Sequence, residues 1–223
     1  HRSQLISDID SVWGTSLRAA TDSPLELSPV RERVRQAWST TTAVNFCAKA
    51  YPTVASGHPD NAPLQVLAGF MRNGYLHRAI REQGGAYGGG ASQDASSASF
   101  RFFSYRDPRL QETLADFDAA IDWVISSEHK PHQLEEAILG VIASLDKPAS
   151  PAGEAKQAYF NRAFGRTLAH RAGFRKQILS ITTADLKRVA QLYLSPEKAS
   201  IGIICNKESA DSLKIENLEI VNL

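Results

Sequence analysis

From Leu64 the apolar residues recur at helical spacing: Leu64, Leu67, Ala68, Met71 and Tyr75 fall on one face, with Phe70 and Leu76 beyond it. Arg78 and Arg81 occupy the last turn and Gly84 with Gly85 follows, which complements the helix dipole and ends the helix. In the stretch IREQGGAYGGGAS, Ile80–Ser92, the period then drops to two. A helix apolar over so much of its circumference is expected to be central, and the segment after it is expected to enter a sheet.

The remaining elements follow the same logic. Thr42–Val54 is rich in β-formers, and Pro52 limits its end to an edge or exit position. Ala86–Ser92 and Ser99–Tyr105 flank the polar turn QDASS as the two strands of a hairpin, with Phe100 and Phe102 alternating with Arg101 and Phe103. Asp107 and Pro108 read as the N-cap and first turn of a helix carrying Leu110, Leu114, Phe117, Ile121 and Val124 on one stripe. A second stripe, Leu134, Ile138, Val141 and Leu145, ends at DKPASPAG. Helices about Glu154–His170 and Thr183–Leu194 precede the strand ASIGIIC, and Thr182 with Asp185 resembles a capping box. Strands and helices that cluster instead of alternating predict an α+β domain, a two-layer sandwich whose mixed or antiparallel sheet carries helices on one face.

The first residues read differently. Ile6, Ile9, Val12 and Trp13 mark a short amphipathic helix, and TDSPLELSPVRE reads as a connector. Residues 1–35 are therefore expected to be a linker or the end of a preceding domain, and residues 36–223 one α+β domain long enough to bury a core without disulfides. The chain begins HRSQLIS without an initiator Met, so a fragment is expected, with His1 a cloning remnant. A formal net charge of +1 with interspersed signs predicts no nucleic-acid partner. No apolar run approaches the ~20 residues of a membrane span, so no membrane anchor is expected. Cys47 and Cys205 lie in apolar contexts, as buried thiols in a reducing compartment would.

Several chemistries can be weighed on spacing. A phosphate cradle needs glycines after a strand and before a helix, whereas Gly84 to Gly90 follow a helix and enter a strand. In EHKPHQLEE, helical spacing places His132 beside Glu136, but with His129 and Glu135 this run still lacks the second histidine of an inverted zinc site. His58, His77 and His170 have no partner at ligand spacing, and no Gly-x-Ser-x-Gly elbow occurs. Arg81 and Tyr87 remain, with two readings open. Either a basic residue ends a helix and an aromatic starts a strand, or the reversal gathers a guanidinium and a phenol that both donate to peptide carbonyls. In the second reading Gly88, Gly89 and Gly90 would let another backbone lie close.

The segments NGYLHRAIREQGGAYGGGAS, FFSYRDPR and FNRAFGRTLAHRAGFRKQILSITTADLKRVAQLYL, within roughly Ala43–Lys207, resemble the last domain of pitrilysin-type (M16) zinc metallopeptidases of the presequence-protease branch. The resemblance implies a clamshell of two halves, each of two related α+β domains, with zinc on a His-x-x-Glu-His helix of the first domain. That motif is absent here, since the corresponding helix reads APLQVLAGFM. The resemblance thus implies a closing domain that binds no metal itself, with Zn2+ held by the N-terminal half of the same polypeptide and short unstructured peptides as substrates. Arg81 and Tyr87 stand at the positions that reach across the chamber, with Gly88 and Gly89 as further substrate contacts. A bacterial cytoplasm and an organelle matrix fit equally. The alternative is a non-catalytic scaffold or peptide-binding subunit of the same family.

Overall fold

A computed structural model describes residues 1–13 and 32–223. The chain divides into two units, His1–Glu32 and Arg33–Leu223. In the first, the expected amphipathic run forms helix α1, Arg2–Trp13, on which Leu5, Ile6 and Ile9 are exposed. The connector TDSPLELSPVRE falls, except for its last residue, outside the described residues.

The second unit is an α+β sandwich. Its elements are β1 Arg35–Ser39, β2 Asn45–Pro52, α2 Asn61–Met71, β3 Gly88–Asp94, β4 Ser99–Asp107, α3 Gln111–Ser126, α4 Pro131–Leu145, α5 Pro151–Ala163, α6 Leu168–Leu179, α7 Thr183–Tyr193, β5 Ser200–Cys205, α8 Lys207–Ser212 and β6 Glu219–Asn222. The sheet runs β3-β4-β2-β5-β1-β6. It is mixed: β1 pairs parallel with β5 and β6, and the other pairs are antiparallel.

Alternation along each strand decides what faces the helices. Cys47, Lys49 and Tyr51 of β2, Phe100 and Phe102 of β4, and Ile201 and Ile203 of β5 are buried with the apolar stripes of α2 and α3. Phe102 stacks on Phe117 of α3 with centroids 5.4 Å apart and meets Tyr51 edge-on. The sheet's other face leaves Trp38, Phe46, Phe103, Tyr105 and Ile204 between 37% and 43% exposed. Among the described residues of this unit, the helices therefore cover one face only. Among the described residues, no helix is long and apolar enough to cross a membrane.

The structure corrects several local expectations. Asp107 closes β4 instead of capping a helix: its carboxylate accepts from Arg109 N at 2.9 Å and Thr113 Oγ1 at 2.8 Å, so the chain turns through Pro108–Leu110 before α3 starts. The helix expected over Glu154–His170 is two helices, because Gly165 at φ +64° breaks the path and Thr167 caps α6. Strands β1 and β6 and helix α8 had no clear signal, since four- to six-residue elements show too little of any period.

A polar tie fixes α2 against α7. Asp60, 8% exposed, accepts from Arg188 at 2.6 Å and from the Tyr193 hydroxyl at 2.7 Å. The Arg188 hydrogen bond holds the Asp60 carboxyl below its ordinary range, burial opposes that, and the Tyr193 bond adds to it. A carboxyl depressed in the folded state contributes stability that is present above its unfolded value, about 3.9, and is lost as pH falls through the folded value. Urea midpoints should accordingly be flat from about pH 7 to 5 and fall below about pH 4. Asp60→Asn should cost about 1–3 kcal/mol at neutral pH and flatten the acid slope; an unchanged acid profile in the variant would show that the tie contributes nothing.

Candidate functional site

The helix that begins as α2 does not remain an α-helix. From Arg72 to Gln83 it continues with π-helical hydrogen bonding, a wider coil than the spacing of Leu64–Tyr75 suggested. Gly74 permits this course, because a Cβ there would lie 2.4 Å from the Trp123 ring. Only Leu76 and Ile80 of the segment are buried, so its remaining side chains, Arg81 among them, face outward or lie half-buried.

The segment ends in a tightly held turn. Gly85 adopts φ +77°, a left-handed conformation that favours glycine. Gly85 N donates to Arg81 O and Ala86 N donates to Ile80 O, both at 3.1 Å. These bonds each span one residue more than in the usual glycine closure of an α-helix, as the wider coil requires. The Arg109 guanidinium locks the turn from α3's side by donating to Ala79 O at 3.1 Å and to Asp116 at 2.9 Å. It occupies the space that a Cβ on Gly84 would need, 1.9 Å from Nη2. Arg81 is thereby presented on a braced helix end.

Tyr87 follows three residues after Gly84 and is 63% exposed at the head of β3. Its backbone N donates to Arg106 O at 3.2 Å. Arg106 has φ +49° and lies in a bulge: β2 advances two residues, Asn45 to Cys47, while β4 advances three, Asp107 to Ser104. The bulge aims Arg106 at Tyr87, with the guanidinium carbon 5.5 Å from the ring centroid, and the Tyr105 ring lies 5.7 Å away on Tyr87. The two sequence candidates thus share one turn and are both exposed, while Tyr87's ring contacts are Tyr105 and Arg106. Sequence reasoning assigned those two no role, and only the hairpin register could have revealed them.

Gly88 and Gly89 lie in β3, an edge strand that among the described residues pairs only with β4. A Cβ on Gly88 would sit 2.4 Å from the Tyr105 hydroxyl, and one on Gly89 2.8 Å from Phe103 O and 3.0 Å from Ile80. Their lack of side chains is needed for packing within the domain. The stem of Arg72 lies against Gly90, 3.0 Å from where its Cβ would be.

The rejected candidates take ordinary positions. His129 hydrogen-bonds Val124 O at 2.9 Å and packs its ring on Trp123 and Phe70, while His132, Glu135 and Glu136 are exposed. His77 pairs with Glu82 at 3.2 Å, and His58 accepts from Asp60 N. Among the described residues, no three ligand-type side chains gather in a way that fits zinc. Burial pushes the Cys47 thiol up to about 12 and raises that of Cys205, so neither is a thiolate at neutral pH.

The fold of this chain, a mixed sheet with helices on one face, is similar to that of pitrilysin-type peptidases. The structure superposes on pitrilysin with a TM-score of 0.64 at 14% identity, over 99% of this chain and 25% of that one. A protease from Helicobacter pylori matches with a TM-score of 0.70, also at 14% identity, over 91% of this chain and 52% of that one. More specifically, the profile described as PreP C-terminal domain matches residues 35–206, and the chain belongs to that family. The mitochondrial presequence protease of Yarrowia lipolytica is 42% identical over 151 residues, 68% of this chain. The matched part is 15% of that relative's length.

Proposed function

We propose that this chain is the closing domain of a zinc peptidase that degrades short unstructured peptides, and that Arg81 and Tyr87 are its contribution to the reaction chamber. The observation that carries the reading is their joint exposure on either side of the braced Gly84–Ala86 turn, at the head of an edge strand. A guanidinium fixes peptide carbonyls through its planar fork of donors. A phenol beside it supplies a donor where negative charge develops on the attacked carbonyl. Edge strand β3, with Gly88 and Gly89 bare of side chains, offers main-chain pairing to an extended peptide.

Zinc and the general base would come from the N-terminal half of the same polypeptide, since the described residues do not fit a metal. The domain would span residues 36–223, with residues 1–35 leading in from the preceding one. The mitochondrial relative supports an organelle matrix as the compartment.

Two measurements test this. After equilibration with zinc and dialysis, the isolated chain should hold no stoichiometric metal by elemental analysis and cleave no peptide. In the longer polypeptide that carries a His-x-x-Glu-His helix, Arg81→Ala should raise KM about ten-fold or more, the scale of a lost hydrogen bond to a charged group. Tightly bound zinc in the isolated chain, or an unchanged KM in the variant, overturns the reading. A gene whose upstream sequence lacks the zinc helix would instead favour the scaffold.

A further inference from the structure

At the far end of β3 from Tyr87, the structure opens into a groove of about 1200 Å³. The β3–β4 turn, the start of α2, and the stretch from the end of α4 through α6 surround it. Its floor is built of carboxamides. Gln65 Nε2 donates to Gln93 O at 3.1 Å, and the Gln93 side chain is held by Thr53 at 3.0 Å and Val54 O at 3.1 Å. Asn61, 5% exposed, lines the same wall with its Oδ1 lacking a hydrogen-bond partner among the described residues.

The rim is cationic. Arg101 and Arg175 also line the groove but are committed to Asp94 and Asp146. Lys147, Arg162, Arg166 and Arg171 form no ion pair among the described residues, and the one other carboxylate in the lining is Glu154. Arg166 is placed over the Phe164 ring at 5.5 Å and reaches Ser96 Oγ at 3.4 Å, while Arg171 donates to Leu145 O at 3.3 Å. Four cations facing one carboxylate leave an excess of positive charge at the rim, while the Asn61 amide oxygen is buried beneath the floor.

We infer that this groove is a subsite for the acidic end of an extended peptide substrate, whose carboxylates are taken by the lysine and arginines of the rim above a floor already fixed by its own hydrogen bonds. The inference rests on the peptide-binding reading of Arg81, Tyr87 and β3. Gln93 and Asp94, the last residues of β3, form part of the groove, and Tyr87 immediately precedes its first residue. Seven strand residues span roughly 23 Å at about 3.3 Å each. A peptide of eight or more residues lying along β3 would touch both ends, so the groove would set a preference for length and for acidic residues away from the scissile bond.

Fluorescence anisotropy on the 223-residue chain decides it, using labelled ten-residue peptides of neutral sequence that end in Glu-Glu or Gln-Gln. The Glu-Glu peptide should bind about ten-fold tighter at low salt, the combined effect of two exposed ion pairs. That preference should collapse near 0.3 M salt, roughly where screening shortens to a few ångströms. It should also vanish in the Arg162→Ala/Arg166→Ala double variant and separately in Lys147→Glu, each checked for an unchanged melting curve. If Arg81→Ala weakens both peptides equally, the whole assignment stands. Equal binding of both peptides, with loss of both in Arg81→Ala, would sink the groove and leave the Arg81 and Tyr87 reading intact. An acidic preference that disappears in the groove variants but ignores Arg81→Ala would keep the groove and discard the link along β3. Failure of the Glu-Glu peptide to bind, or a dimer in sedimentation that the double variant dissociates, overturns the subsite.

Discussion

Tyr87→Phe, made in a polypeptide that also carries the zinc helix, is expected to lower kcat by about ten- to a thousand-fold, the range for one lost oxyanion donor, with KM and melting temperature nearly unchanged. The reason for the clean separation lies in the residue's surroundings. The ring keeps its contacts with Tyr105 and Arg106 when the hydroxyl is removed. The hydroxyl has no hydrogen-bond partner among the described residues, and the side chain is largely exposed, so its removal strands nothing inside the domain. A substitution that changes turnover without changing ground-state affinity removes an interaction made in the transition state. If kcat is unaltered, Tyr87 is an exposed strand-start aromatic and nothing more. If the melting temperature falls with kcat, the loss is one of folding.

Phe102→Ala should destabilise the domain by about 3–5 kcal/mol, read as a lowered urea midpoint with an unchanged slope. Phe102 is fully buried and lies in edge-on contact with Tyr51 and Phe100 and stacked on Phe117. Deleting its ring removes the transfer free energy of the side chain and leaves a cavity walled by three aromatic groups that cannot all close in. The consequence reaches the site, because every residue of β3 pairs with β4, through Ser99–Tyr105, and the end of β4 carries the bulge that supports Tyr87. A cost below about 1 kcal/mol would mean that the sandwich is held together elsewhere.

Several elements were readable before any coordinates because their cause is local. Leu110, Leu114, Phe117, Ile121 and Val124 repeat at 3.6 residues per turn, and all five are buried along α3 and the residue before it. The β3–β4 hairpin followed from alternation around a polar turn, and the Thr182–Asp185 capping box from two residues three apart. The mixed sheet with one helical layer followed from the order of these pieces. Strand β1 escaped because RQAWS has too few residues to show a period, and its place is set by parallel pairing with β5, far away in the chain. The π-helical course of Arg72–Gln83 escaped because the apolar spacing before it fits an α-helix equally well.

The sequence by itself determined the longer helices and the strands with a clear period, the absence of a His-x-x-Glu-His motif, and the placing of an arginine and a tyrosine around a glycine turn. It could do so because periodicity, capping and turn chemistry act over a few residues. The tertiary structure alone decided that Arg109 braces that turn, that a bulge brings Arg106 and Tyr105 to Tyr87, and that Arg188 reaches Asp60 from 128 positions away. Those contacts depend on strand register and on how helices seat against the sheet. Both are fixed by burying many distant side chains together, and no short window of residues contains that information.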